Sequence, residues 1–513
     1  MRKYLLALLF LILAACQSKQ ENVAKWPYGV NYEVFVMAFA DSDGNGKGDL
    51  KGLTAKLDYL KSLGVGGLWL MPIMPSDTYH KYHVIDYKNV DPDFGTIEDF
   101  KTFTAEAHKR NIKVIIDLVI NHSGDNHPWF LESKKGPDNP YREYYVWKKK
   151  ADVRGDMKKR ATHFDSDNIQ QWHAVNGDTL GEHYYGYFNG MTPDLNLDSK
   201  KVRDEVIDIS KFWLNDMQVD GFRLDAARHV FPTDREKDNH AFWEWFRAET
   251  QKIKPDVYLV GEVWQPAEVV APYLKGLPAL FNFDMGYMIT GTVQQSADSN
   301  NLVKKYKEIN DYYKTITPDF IDATFIKNHD QNRILSELGG NVNKMKVAAG
   351  ILFTLPGTPY VYYGEEIGML GMKPDPQIRE SFIWDVDKKD PLQSAWAPAV
   401  HSTDKTVVPA AAQDKDPNSL LNFYRKWIAY RNTSNALTYG SLELSPYQDV
   451  RVVSMVRVKD NEKVLAMHNL TDAEISIDLA QIQDFSKVDF TVGDAKIDGS
   501  KLILPAYSSV VLR

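Results

Sequence analysis

Eight short runs rich in Val, Ile and Phe, separated by stretches of helical periodicity, predict an α/β fold built as a (β/α)8 TIM barrel. Two breaks in that repeat predict an inserted domain after strand 3 and a C-terminal antiparallel β-sandwich domain. A chain of 513 residues, 43% hydrophobic and 25% charged, is long enough for a barrel plus further domains. Its formal net charge of −8 speaks against nucleic acid, which would call for a basic face.

The chain opens MRKYLLALLFLILAACQSKQ. Arg2 and Lys3 precede an apolar run from Leu5 to Ala15 that is too short for an ordinary membrane span and has the flank of a secretory signal. The single cysteine, Cys16, follows Leu13-Ala14-Ala15 directly, a pattern that resembles a bacterial lipobox. Residues 1–15 are therefore expected to be cut away, with lipid on Cys16 and a polar linker running to residue 25. Gln17 is not the aspartate associated with inner-membrane retention, so an extracytoplasmic lipoprotein of the bacterial outer membrane is expected. One cysteine leaves no internal disulfide, and stability must come from packing and metal.

The barrel is expected over residues 26–122 and 197–433, with strands at Tyr32–Phe39, Gly67–Ile73, Lys113–Ile120, Gly221–Leu224, Tyr258–Val260, Ala279–Phe283, Thr324–Lys327 and Tyr360–Tyr363. Between them lie helical stretches such as Ile97–Arg110, where Phe100, Phe103 and Ala107 fall on one side. Residues 123–196 are polar, rich in Tyr, Trp, Lys and Gly and without a clean period, which marks the inserted domain. From residue 434 to 513 the pattern becomes period-2: SLELS, VRVVSMVRV, KVLAMHN, ISIDLA, KLILPA and SSVVLR.

Directly after the first strand comes DSDGNGKGD (41–49), which places Asp41, Asp43, Asn45 and Asp49 in a glycine-rich turn. Hard cations such as Ca²⁺ want several oxygens from a tight loop, and glycine permits the turn. The loop is not an EF-hand, because Gly52 stands where a glutamate would be required.

The strand ends carry the chemistry. They read DLVINH (117–122), RLDAARH (223–229), VGEVW (260–264) and FIKNHDQ (325–331), which would bring Asp225, Glu262, Asp330, Arg223, His122 and His329 to one barrel mouth. On a strand, Arg223 and Asp225 point to the same face, and a buried charge of either sign is costly unless paired. The arginine is expected to hold Asp225 ionised. Paired carboxyl groups in different environments are what glycoside hydrolysis requires.

These four segments, in this order, resemble the sequence regions of the α-amylase family of glycoside hydrolases, family 13, over essentially the whole mature chain. MTPDLNL (191–197) and DPDFGTIEDF (91–100) resemble further segments of that family. The resemblance implies Asp225 as nucleophile, Glu262 as general acid/base and Asp330 as the third carboxylate. It implies Arg223 as a brace, Tyr82 as a stacking platform, His122 and His329 as sugar-hydroxyl ligands, and Arg228 and His229 as contacts beyond the cut. It also implies a structural Ca²⁺, or Mg²⁺, held by Asp41, Asp43, Asn45, Asp49 and the backbone carbonyl of Lys47. A second calcium would use Asn121 and the carbonyl of His229.

Where many relatives read HGYD or HGYW, this chain reads HKYH, with Lys81 and His83. His83 in place of the aspartate removes a clamp on a terminal sugar and favours an open cleft with endo cutting. TPDLN resembles the oligo-1,6-glucosidase and α-glucosidase side of the family, whereas Arg228-His229 resembles amylases. The expected function is hydrolysis of α-1,4-glucans such as starch or maltodextrins by a monomer. The alternatives are an oligo-1,6-glucosidase or α-glucosidase, a trehalose-forming transglycosylase or isomerase, and a non-catalytic glycan-binding or membrane-partner ectodomain.

Overall fold

The computed structural model describes residues 24–159, 170–175 and 181–513. Cys16 and the leader lie outside the described residues. Among those described, no helix is long and apolar enough to cross a membrane.

In chain order the strands are β1 (Asn31–Val34), β2 (Gly67–Leu70), β3 (Lys113–Leu118), β4 (Trp147–Lys149), β5 (Trp172–Ala174), β6 (Glu182–Tyr185), β7 (Gly221–Leu224), β8 (Tyr258–Gly261), β9 (Ala279–Phe281), β10 (Ile321–Phe325) and β11 (Thr358–Tyr362). Eight of them close a parallel barrel in the order β1-β11-β10-β9-β8-β7-β3-β2. Its interior is filled by Trp69, Ile115, Tyr258, Val260, Phe281, Phe325 and Tyr360, residues that alternate along their strands. The outer faces of the same strands join the helices in one large core.

The helix Ile97–Lys109 shows how local sequence sets an element. Thr96 and Asp99 form a capping box at its start, and Phe100, Phe103 and Ala107 are buried. Between β3 and β7 the chain forms a small antiparallel sheet, β4-β6-β5, which is the excursion after strand 3.

The C-terminal part adds β12 (Ser441–Leu444), β13 (Val452–Lys459), β14 (Glu462–Asn469), β15 (Ile475–Asp478), β16 (Val488–Val492), β17 (Lys496–Asp498), β18 (Lys501–Leu504) and β19 (Ser509–Leu512). These form a five-stranded sheet, β12-β13-β14-β19-β16, and a three-stranded one, β15-β18-β17. Val452, Val456, Leu465 and Met467 share a core with Ile475, Ile477, Leu502 and Leu504, so the two sheets make a sandwich. The alternate residues Val453, Met455, Val464 and Ala466 join the barrel's core instead.

Two fully buried arginines pin this junction. Arg431, on the helix Leu420–Thr433, donates to the carbonyls of Phe353, Leu355 and Gly357 at 2.7–2.9 Å. Arg457, on β13, donates to the carbonyls of Thr354 and Gly440 at 2.6 and 2.8 Å. The helix Val342–Thr354 leaves its last carbonyls without intrahelical partners, and these cations satisfy them.

Several expected boundaries shift. The first strand ends at Val34, and Val36–Phe39 forms a helical turn, because an apolar run buried on every side carries no signal of where the strand stops. The seventh and eighth strands begin earlier than expected, at Ile321 and Thr358. ISIDLA stays extended only to Asp478. β16 and β17 are additional strands: β16 reads VDFTV, a clean alternation that the sequence offered, whereas β17 is only three residues long and largely exposed.

Candidate active site

The site is built by register. Asp117 on β3 pairs with Arg223 on β7, and Leu224 with Gly261 on β8, so Asp225 and Glu262 leave neighbouring strands side by side. Alternation turns Asp117, Arg223 and Asp225 to the same face. One guanidinium then serves three acids. Arg223 Nη1 donates to Asp117 at 2.8 and 2.9 Å and to Asp225 Oδ1 at 2.7 Å, while Nη2 lies 2.7 Å from Glu262 Oε2. Ala226, held at φ 47°, places its N–H 3.3 Å from Glu262 Oε2. The Trp69 ring lies 5.1 Å from the guanidinium carbon, a cation–π contact that closes the underside.

Burial pushes the carboxyl groups of Asp225 and Glu262 up, and Arg223 pulls both back only in part. Burial pushes Asp117 up to about 7, against Arg223 and with help from Asp225. Arg223 favours the ionised form of Asp225, as expected, but its one positive charge is divided among three acids and offsets burial only in part. Asp330 behaves oppositely. Against burial, His329 and Arg379 hold its carboxyl far below the ordinary range. Arg379 Nη2 reaches Asp330 Oδ1 at 2.9 Å, and His329 Nε2 lies 3.1 Å from Oδ2. His329 is pushed up to about 10, burial opposing while Asp330 and Glu33 raise it.

Tyr82 is partly exposed beside this group, donates to Asp117 Oδ2 at 3.1 Å and lies 2.7 Å from His329 Nε2. Burial and Asp117 keep its phenol protonated. Lys81 adopts φ 65°, the left-handed region that favours glycine. Its buried ammonium is fixed by Asp91 at 2.9 Å and Asp93 at 3.0 Å. His122 is buried beside Asn121 at 3.1 Å and packs edge-on against Phe188, while burial pushes its ring down to about 3 and keeps it neutral.

The two residues expected to contact sugar beyond the cut have protein partners of their own. Arg228 turns toward Glu236, 3.4 Å away, and His229 stacks on Tyr187 with ring centres 3.9 Å apart. The sequence reading missed Asp117, Glu33, Arg379 and Trp69. The first stands in the quoted DLVINH one residue before the end of β3, so alternation could have found it. Arg379 arrives from the loop after β11, where no periodic signal exists.

In the loop after β1, ligand oxygens of Asp41, Asp43 and Asp49 lie within 4.8 Å of one another. Asp41 accepts from the backbone N–H groups of Gly44 at 2.8 Å and Gly46 at 2.7 Å, and Asp49 from that of Ser42 at 2.7 Å. Gly44 and Gly46 take positive φ, which the tight turn requires. Asn121 Oδ1 is buried without a protein partner, near the buried Asp194.

A closed parallel barrel carrying three carboxyl groups around one arginine at its C-terminal mouth defines a barrel glycosidase. The chain belongs to the alpha-amylase family: the model of the alpha amylase catalytic domain matches residues 33–440. The model of the alpha-amylase SusG C-terminal domain matches residues 452–511. Alpha-amylase 3 of Dictyoglomus thermophilum is 40% identical over 94% of this chain and 92% of its own length. An oligo-1,6-glucosidase of Parageobacillus thermoglucosidasius is 31% identical over 87% of this chain and 90% of its own. The crystal structure of an alpha-amylase from H. orenii superposes with a TM-score of 0.86 at 41% identity, covering 94% of this chain and 99% of that one.

Proposed function

We propose that the protein is a retaining, endo-acting hydrolase of α-1,4-glucosidic bonds in starch-like glucans. The observation that carries this is the shared guanidinium: Asp225 and Glu262 sit on its two arms, which favours the separation of about 5 Å found in retaining enzymes over the wider gap that admits a water. Asp225 attacks the anomeric carbon as Glu262 gives its proton to the departing oxygen. Burial, against Arg223 and with help from Asp225, raises the Glu262 carboxyl, the direction a proton donor needs. A glycosyl ester on Asp225 forms; Glu262 then deprotonates a water, which displaces the ester with a second inversion.

Asp330, ionised between Arg379 and His329, accepts hydrogen bonds from sugar hydroxyls. Tyr82 offers its ring beneath the reacting sugar. Trp264, two residues past Glu262, is 41% exposed and backed by Phe283 with ring centres 4.5 Å apart, a flat face suited to a sugar on the leaving side. Product analysis on amylose, maltotriose, isomaltose, pullulan and maltose tests the reading. Short maltodextrins with retained anomeric configuration support it; products of isomaltose alone, trehalose alone or lengthened chains overturn it.

The loop Asp41, Asp43, Asn45 and Asp49, with the carbonyl of Lys47, would hold a structural Ca²⁺. The all-oxygen donor set suits a hard cation, and the ion would offset the mutual repulsion of three close carboxylates. Asn121 with the carbonyl of His229 is a weaker second candidate. The leader and Cys16 support a lipid-anchored protein, which palmitate labelling lost in C16S would test.

A further inference from the structure

Glu33, on β1 inside the barrel, is 2% exposed, and no step above uses it. Its Oε1 lies 2.5 Å from His329 Nδ1. At the other edge of the ring, Nε2 faces Tyr82 Oη at 2.7 Å and Asp330 Oδ2 at 3.1 Å. The Glu33 and Asp330 carboxylates can only accept, and the Tyr82 hydroxyl has an acceptor of its own in Asp117 Oδ2, 3.1 Å away, which leaves it a lone pair for His329. An imidazole with an acceptor at each nitrogen satisfies both only when both nitrogens carry protons. A neutral ring would set a lone pair against Asp330 or draw the Tyr82 proton away from Asp117.

The surroundings agree. Facing His329 are Glu33 from β1, the edge of Trp69 from β2 at 5.6 Å, and Tyr82 from the loop after β2. Asp117, Asp225 and Glu262 act on it from β3, β7 and β8, and Asp330 adjoins it in its own loop. Arg379 donates from the loop after β11 to the His329 carbonyl at 2.9 Å, and buried Glu365 lies behind Glu33. Arg379 and Arg223 are the cations in this group, and both are already bound to acids.

We propose that Glu33 is a positioning residue: its hydrogen bond holds the His329 ring doubly protonated and in one orientation, so that Nε2–H serves the Tyr82–Asp330 pair and Asp330 keeps a lone pair for substrate hydroxyls. The proposal rests on the acid roles given above for its catalytic meaning, and its first test does not use activity. Full-length protein labelled with ¹⁵N-histidine, with His329 assigned by the signal lost in H329Q, should show both ring nitrogens protonated at pH 8. In E33Q the same ring should titrate to neutral below that pH, and the alkaline limb of kcat/KM should move down by about one pH unit or more. The rate at pH 6 should stay within about threefold of the parent, since His329 is protonated there in both.

A neutral His329 ring in the unsubstituted protein at pH 8 overturns the inference, and needs no variant to fold. So does an E33Q protein whose ring and pH profile match the parent. A doubly protonated ring in a protein that cleaves no glucan would sustain this inference while defeating the proposed function.

Discussion

Arg223 Nη2 lies 2.7 Å from Glu262 Oε2, on the opposite arm of the guanidinium from the one that binds Asp225. Glu262 and Asp225, the proposed acid and nucleophile, therefore draw on one cation. A lysine cannot replace it, because a single ammonium has no second arm to hold the spacing. R223K should lower kcat by about 100-fold or more and cost about 2–4 kcal/mol of stability, read by steady-state kinetics and thermal unfolding. The sign of the pH effect is fixed. Arg223 pulls both carboxyl groups down, so in R223M, which lacks the charge, both rise and the acid limb of kcat/KM should move to higher pH.

Removing either acid should separate chemistry from folding. D225N should lose roughly 10³-fold or more on every substrate. E262Q should lose about 10²–10⁴-fold on maltodextrins and much less on aryl glycosides, whose leaving group needs no proton. Both should unfold within a few degrees of the parent. Near-normal turnover by either variant would reassign the roles.

The acidic loop after β1 predicts a stability effect with little kinetic one. At Ca²⁺ a hundredfold above its Kd, the ion contributes about 2.7 kcal/mol, and chelation should lower the melting temperature by a few degrees. Scanning calorimetry with and without chelator should show that shift, and D43N should abolish it.

Lys81 sets two physical effects against each other. Glycine there would relieve left-handed strain of about 1 kcal/mol, but would strand the buried Asp91 at a cost of about 3 kcal/mol. K81G should therefore be less stable by about 2 kcal/mol in denaturant titration. A more stable K81G would show that backbone strain dominates.

The barrel, the sandwich and the acids were legible because each rests on a short-range rule. Period-2 alternation marks β13 and β14, and two-residue spacing puts Arg223 and Asp225 on one face. What escaped was long-range. Glu33 and His329 are 296 residues apart and meet only because the barrel closes. Arg379 reaches Asp330 from a loop without period, and the end of β1 is hidden by burial on all sides. The loop positions Asp41, Asp43 and Asp49 were readable from composition because glycine and aspartate announce a turn.

The contact of Arg431 and Arg457 with bare carbonyls has a consequence for dissection of the chain. Among the described residues neither cation has a carboxylate partner, and burial pushes Arg457 down to about 9 and Arg431 to about 10. Cutting away the terminal sandwich would remove Arg457, open the carbonyl of Thr354 just ahead of the last barrel stave, and let water reach Arg431. A chain ending before β12 should therefore unfold at a lower temperature than the intact protein, the sandwich acting as a keystone for the barrel's closing turn.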